Sequence, residues 1–277
     1  LNVLATGRLD KMHVEPQSPV SYALPVGDKI VPVNELLGKV LRLEFEGEIR
    51  CSHCQRLTKK SFNQGYCYPC FQKLARCDRC IMSPELCHFH QGTCREPDWG
   101  QKFCMQPHVV YLANSSGLKV GITRKTQVPT RWIDQGAVSA LPIVSVSSRR
   151  LSGLVETLLK EWVADKTNWR KMLKHEVEEM DLIAERDRLM HTSRSALDEL
   201  RSAHPNERID WLVESSIQTF EYPSLAWPEK AKTYNLDKTP VIEDRLMAVK
   251  GQYLIFENAC LNIRKYGAYH VTLSAGS

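Results

Sequence analysis

Apolar and polar residues alternate from Leu41 to Glu46, the two-residue period of a half-buried strand, and residues 1–50 read as extended structure. From 51 to 104 that periodicity disappears and turn-forming residues take over. Two short apolar runs, Val109 to Ala113 and Leu118 to Ile122, flank a turn at Asn114 to Gly117 and predict a β-hairpin. A short helix is expected from Thr130 to Gln135 and a further strand from Pro142 to Val146. Val155, Leu158, Leu159, Trp162 and Val163 then fall on one helical face, which predicts a helix capped by Ser152 and running to about Asp165. Residues 170–217 continue as helix, broken at Ala203 to Asn206. After Pro223 and Pro228 the two-residue period returns at Gly251 to Phe256 and Tyr269 to Leu273. These last strands are expected to pair with residues 28–50, so that both ends of the chain build one β-rich part and everything between is inserted.

Why the periodicity fails between 51 and 104 is answered by the cysteines: nine of the ten lie there, with His88 and His90 among them. Cys51 and Cys54 form one C-x-x-C knuckle, and Cys67 and Cys70 a second one twelve residues on. Two thiolates two residues apart grip one side of a tetrahedral ion, and a second pair closes the site with no open position, which is the chemistry of structural Zn²⁺. A second Zn²⁺ is expected at Cys77 and Cys80 with Cys87 and His90, and Cys94 and Cys104 are the alternates. His53 reads as a bystander, and Cys260, isolated among apolar residues, as a small buried hydrophobe. No apolar run is long enough for a membrane span, and the first residues lack the basic-then-apolar pattern of a signal peptide. The expected setting is therefore the reducing cytoplasm, where clustered thiols hold metal in preference to disulfides.

At 277 residues and 43% hydrophobic content the chain can bury an ordinary globular core. Its formal net charge is only +5, but the basic residues cluster. Arg56, Lys59 and Lys60 sit in the cysteine block, and Arg124 and Lys125 follow the hairpin. Such a surface draws phosphates by releasing their counterions, so the expected partner is DNA or RNA. The acidic stretch Glu176 to Glu185 reads as a solvated face.

The segment after the cysteines carries an ordered set of polar residues. Val109, Val110 and Tyr111 are followed by Lys119, Val120 and Gly121, then by Arg131, Glu156 and Asn168. This order resembles the GIY-YIG nuclease superfamily, which includes homing endonucleases and the incision domain of bacterial excision repair. The resemblance covers residues 108–170 and implies a small mixed α/β core with the two tripeptides on adjacent strands. The arginine would then lie on a short helix and the glutamate on a longer one. Two positions depart from the pattern: valines replace the glycine and isoleucine of the first motif, and Lys119 replaces the tyrosine of the second. The zinc block joined to such a core also resembles a bacterial family of uncharacterised function, which implies no activity.

The expected fold is therefore α+β in five parts. They are an N-terminal β segment (1–50), a zinc-ribbon-like module (51–107), a GIY-YIG-like core (108–170), a helical extension (171–222) and a C-terminal β region (223–277). The resemblance implies phosphodiester hydrolysis with Glu156 holding one Mg²⁺ or Mn²⁺, which keeps most of its waters. Tyr111, its acidity raised by Lys119, would relay a proton from the attacking water. Arg131 would grip the phosphate bidentately, Gly121 would let the strand approach it, and Asn168 would orient substrate. Two other readings stand beside this one: a nucleic-acid-binding zinc protein without turnover, and an interaction protein whose β region and helices contact a protein partner.

Overall fold

Alternation in the sequence becomes alternation in burial along the first strands: β1 (Asn2–Arg8), β2 (His13–Glu15), β3 (Ser21–Val26), β4 (Lys29–Pro32) and β5 (Val40–Ile49). The computed structural model describes residues 1–163, 165 and 167–276. After β5 come two short helices, α1 (Tyr68–Lys73) and α2 (Pro97–Phe103), separated by single helical turns. The hairpin β6 (His108–Asn114) and β7 (Leu118–Arg124) leads to α3 (Thr130–Asp134), β8 (Ser139–Val146) and α4 (Arg149–Leu159). Helices α5 (Trp169–Leu173), α6 (Leu182–Thr192) and α7 (Arg194–Ala203) follow, then strands β9 (Ile209–Trp211) and β10 (Gln218–Thr219). The chain finishes with β11 (Val241–Lys250), β12 (Tyr253–Phe256), β13 (Cys260–Asn262) and β14 (Tyr269–Ala275).

Both chain ends share one six-stranded antiparallel sheet, in the order β1-β14-β5-β11-β12-β13. Strand β5 lies between β14, where Leu43 faces Leu273, and β11, where it faces Ile242. The expected β-rich part built from both termini is thus present, and the α+β class with it. A small sheet, β2-β3-β4, covers this part, and the two bury a common core of residues such as Leu24, Leu43, Leu246 and Leu273.

The inserted hairpin forms a second sheet, β10-β8-β6-β7, with β9 also on β8. Strand β6 is buried along its whole length because both faces are covered. Val110 and Leu112 point to a core under α4 with Val155 and Leu159, while Tyr111 and Ala113 point to the opposite core with Trp132. Helix α4 differs from the expected one at both ends. Ser148 caps it, its Oγ accepting from the Leu151 N–H at 3.3 Å, whereas Ser152 sits inside the helix and donates to the Arg149 carbonyl at 2.6 Å. The helix stops at Leu159, and Trp162 and Val163 reach the same core from beyond its end. The stretch expected to be wholly helical also supplies β9 and β10, because Ile209 and Trp211 complete the edge of this sheet.

Residues 50–108 contribute to none of the hydrophobic clusters among the described residues. That is the structural counterpart of the lost periodicity: this segment has turns and thiols in place of a core.

Candidate functional site

Four thiols meet at the start of the coreless segment. The sulfurs of Cys51, Cys54, Cys67 and Cys70 all lie within 4.8 Å of one another, and Cys54 Sγ is 3.6 Å from Cys67 Sγ. Tetrahedral thiolates at about 2.3 Å from a zinc ion would be about 3.8 Å apart, whereas a disulfide requires about 2.05 Å. Burial alone would raise the Cys51 thiol, but the backbone N–H groups of Cys54, Cys67 and His53 outweigh it and bring the thiol down to about 6. Cys70 is pushed up by burial and by the three thiols beside it. The group's geometry and soft donor set suit a structural metal ion.

Further along, the Cys80 sulfur lies within 4.8 Å of Asp78 and His88, which are not the partners expected for a second site. Cys80, Cys87, Cys94 and Cys104 line one small cavity. Cys77 is buried elsewhere; its thiol is raised by burial and opposed by a hydrogen bond from Asn63. His90 is exposed and near only Gln91, at 3.5 Å. Neither residue lines the cavity.

A cleft of about 600 Å³ runs between the cysteine segment and the hairpin sheet. Five of the six residues singled out by the nuclease resemblance line it: Tyr111, Lys119, Gly121, Arg131 and Glu156. Asn168 does not; its Oδ1 caps α5, accepting from the N–H groups of Arg170 at 2.9 Å and Lys171 at 3.3 Å. That is the ordinary task of asparagine at a helix start.

Tyr111 and Gly121 sit opposite each other across the hairpin. A Cβ on Gly121 would lie 2.7 Å from Tyr111 Cζ and Oη, so this glycine makes room for the phenol ring rather than for a phosphate. Tyr111 is itself fully buried, and its hydroxyl donates to Gln135 Oε1 at 2.8 Å. Burial pushes its pKa up to about 12, although Arg131 opposes this. The expected acidified phenol is therefore corrected: this hydroxyl stays protonated near neutrality. Lys119 carries the shift instead. Burial, with Arg131 assisting, lowers its amine to about 8.

Arg131 forms no salt bridge with Asp134, which is taken by Lys11 Nζ at 2.9 Å and by Gln252 Nε2 at 2.8 Å. Glu156 is largely covered, and its Oε1 meets Lys160 Nζ at 3.1 Å. Lys160 is half exposed, so the pair is a solvent-side contact worth about 1 kcal/mol or less.

The basic wall of the cleft also takes residues from both ends of the chain. Lys11, Arg76, Arg149, Lys160 and Arg264 join Lys119, Arg124 and Arg131, eight cations against Asp134, Glu156 and Asp165. Burial depresses Arg149 and Arg264, and the Nε atoms of Arg76 and Arg149 are buried without a hydrogen-bond acceptor among the described residues. Buried cationic donors lacking acceptors favour a multivalent anion. Lys11 and Arg264 are not legible in sequence as part of this wall, because they come from opposite ends of the chain. Of the basic residues first singled out, only Arg124 lines the cleft, over the Phe103 ring at 5.1 Å. Arg56, Lys59, Lys60 and Lys125 are exposed outside it.

No helix among the described residues is long and apolar enough to cross a membrane. A family model described as "Protein of unknown function (DUF2797)" matches residues 38–271, most of the chain from just before β5 into β14. No curated protein and no solved structure matches.

Proposed function

This chain belongs to the DUF2797 family, and from its cleft we propose that it is a zinc-stabilised, GIY-YIG-like endonuclease that hydrolyses phosphodiester bonds in DNA or RNA. One observation carries the reading: Lys119, Arg131 and Glu156 share an open cleft whose wall is strongly cationic. Arg131, in no salt bridge among the described residues, would hold the scissile phosphate. Arg76, Arg124 and Arg149 would hold its neighbours along the strand.

A hard divalent ion fits beside Glu156, because one carboxylate and the substrate's phosphate oxygens suffice for Mg²⁺ or Mn²⁺. When bound, such an ion would supply charge neutralisation at the phosphate. Lys119 takes the proton-accepting role expected of Tyr111, since an amine near 8 is partly neutral at physiological pH. Tyr111 then acts through Gln135 and Gly121, keeping the hairpin and α3 in register. Zn²⁺ at Cys51, Cys54, Cys67 and Cys70 anchors the segment that forms one wall, in a cytoplasmic setting that keeps these thiols reduced.

A second reading, a nucleic-acid-binding zinc protein without turnover, draws support from the buried, protonated Tyr111. Incubation of the full chain with labelled single-stranded and branched DNA and RNA plus Mg²⁺ or Mn²⁺ separates the two. The nuclease reading expects metal-dependent products that fall about 100-fold or more in Glu156→Ala, with binding retained. Binding without products on any substrate supports the second reading. Absence of binding at ~100 mM salt sinks both.

A further inference from the structure

We propose that the cleft takes its nucleic acid as a single strand, with unpaired bases stacking on Trp99 and Phe103 while the arginines beside these rings hold the adjacent phosphates. This deepens the nucleic-acid reading of the same cleft and rests on it. Both rings line the cleft. They stand one turn apart on α2 and stack on each other, with centroids 4.9 Å apart and 29° between the planes. Both are half-buried, and neither joins a hydrophobic cluster among the described residues. Two large aromatics outside those clusters and lining a cleft mark an interaction surface.

Cations flank the pair. The guanidinium carbon of Arg76 is 5.9 Å from the centre of the Trp99 ring, and that of Arg124 is 5.1 Å from the centre of Phe103. Lys102 Nζ also stands over Phe103, at 5.6 Å. Neither arginine is in a salt bridge among the described residues. Cation–ring contacts of this length are weaker than a bidentate hold on a phosphate. A phosphate that draws either guanidinium to itself therefore uncovers the ring beneath it, and the freed face takes the neighbouring base. Backbone and base are gripped together, as a cationic groove with an aromatic platform does.

Size and chemistry keep a double helix off this wall. A cleft of about 600 Å³ has the dimensions of a small-molecule pocket and holds on the order of one or two nucleotides. In a duplex the faces of each base are covered by its neighbours, so a ring can stack only on a base that is unpaired or drawn out. Every base has such a face, so the platform reads strandedness and not sequence. Gly100, between the two aromatics, keeps the platform in place. A Cβ there would stand 2.9 Å from the Phe89 ring and 3.1 Å from Cys94 Sγ, so glycine lets α2 seat against the cysteine segment.

The test is fluorescence anisotropy of the full chain with four labelled probes of one length, without Mg²⁺ or Mn²⁺ so that binding is read apart from cleavage. The probes are a single-stranded DNA, the matching RNA, the DNA duplex and a DNA strand with abasic sites in place of its bases. At least one intact single strand is expected to bind about 10-fold or more tighter than the duplex and the abasic strand, and the tighter of the two assigns the sugar. Trp99→Ala and Phe103→Ala should each weaken that strand by about 5- to 150-fold and the abasic strand by little. Trp99→Phe, which keeps an aromatic face, should recover most of the affinity. Equal wild-type affinity for intact and abasic strands, or for single strand and duplex, overturns the inference while leaving the cleft a nucleic-acid site. That comparison needs no variant, so it decides even where an alanine variant fails to fold. Alanine variants that bind the single strand as the wild type does overturn it as well. No binding of any probe at ~100 mM salt removes the nucleic-acid reading and this inference with it.

Discussion

Replacing Gly121 by alanine isolates what the second tripeptide does. Tyr111 cannot move aside, because its ring is fully buried against Trp132, centroids 5.6 Å apart and tilted by 65°, and its hydroxyl is held by Gln135. The new methyl carbon would meet Cζ and Oη at 2.7 Å, about 1 Å inside a normal carbon contact. Forcing a methyl into a packed site costs about 1–3 kcal/mol, and loss of the Gln135 hydrogen bond adds about 1 kcal/mol. Against this, alanine in a strand recovers about 0.5–1 kcal/mol of glycine's backbone entropy. The net expectation is a loss of roughly 1–3 kcal/mol, read as a lower urea midpoint with the slope unchanged. Tyr111→Leu removes the obstructing ring, so the Tyr111→Leu/Gly121→Ala double variant should lose less than the sum of the singles, with a coupling of about 1–3 kcal/mol. Additive losses would refute the claim that the ring is why this position is glycine.

Other consequences can be checked separately. Lys250 is fully buried with only His175 Nδ1, at 3.0 Å, and the Tyr222 and Trp227 rings nearby, and burial lowers its amine to about 7. The unfolded chain therefore binds a proton that the fold lacks between about pH 7 and 10.5, so this residue makes stability rise with pH across that window. Lys250→Met should stabilise the protein by roughly 3–5 kcal/mol near pH 7 and by little near pH 10.5; denaturation curves showing a pH-independent gain would contradict the assignment. If Lys119 accepts the proton in cleavage, the rate should climb with pH and level off above about 8, and Lys119→Met should abolish that limb. Nucleic-acid affinity should fall steeply with salt, and Arg149→Ala should weaken the dependence by about one phosphate contact; an unchanged slope removes Arg149 from the interface. Chelation of zinc should expose amides across 51–104 to hydrogen exchange while β5, β11 and β14 stay protected, and global loss of protection would show the metal supports more than its own segment.

What the sequence disclosed depended on the range of the interaction. Strands β5 and β14 and the hairpin were legible because alternation and turn chemistry are written in neighbouring residues. The first thiol group was legible because its ligands come in two C-x-x-C knuckles. The neighbours of Cys80 were not: Asp78 and His88 meet it across single turns that no periodicity records, and Cys77 and His90 do not line the small cavity beside it. The Ser148 cap was missed because Ser152 is equally suited by type, and only backbone direction separates them. Strands β9 and β10 are too short to show a period, and they exist because β8 offers an edge. Tyr111 shows a different limit. Its neighbours in sequence suggested an acidified phenol, whereas burial on both faces of β6 dominates its chemistry.

The cleft draws on distant parts of the chain: Lys11 from the N-terminal region, Arg76 and Ile81 from the cysteine segment, Arg131 and Glu156 from the inserted core, and Arg264 from the single turn before β14. Lys11 and Gln252 both hold Asp134, so the helix carrying Arg131 is tied to the terminal β part by an ion pair and a hydrogen bond. The wall opposite is held by Arg149 to Ile81 and by Gly153 against Pro84, contacts that require the single turns to stay in place. Those turns join none of the hydrophobic clusters among the described residues, whereas the Arg131 side rests on a continuous core that includes Ile133. The two walls therefore differ in how they fail. Loss of metal from Cys51, Cys54, Cys67 and Cys70 should free the Arg76 side while leaving Arg131 on α3 and Arg149 and Glu156 on α4 in position, which weakens grip on the strand before it touches the reacting groups.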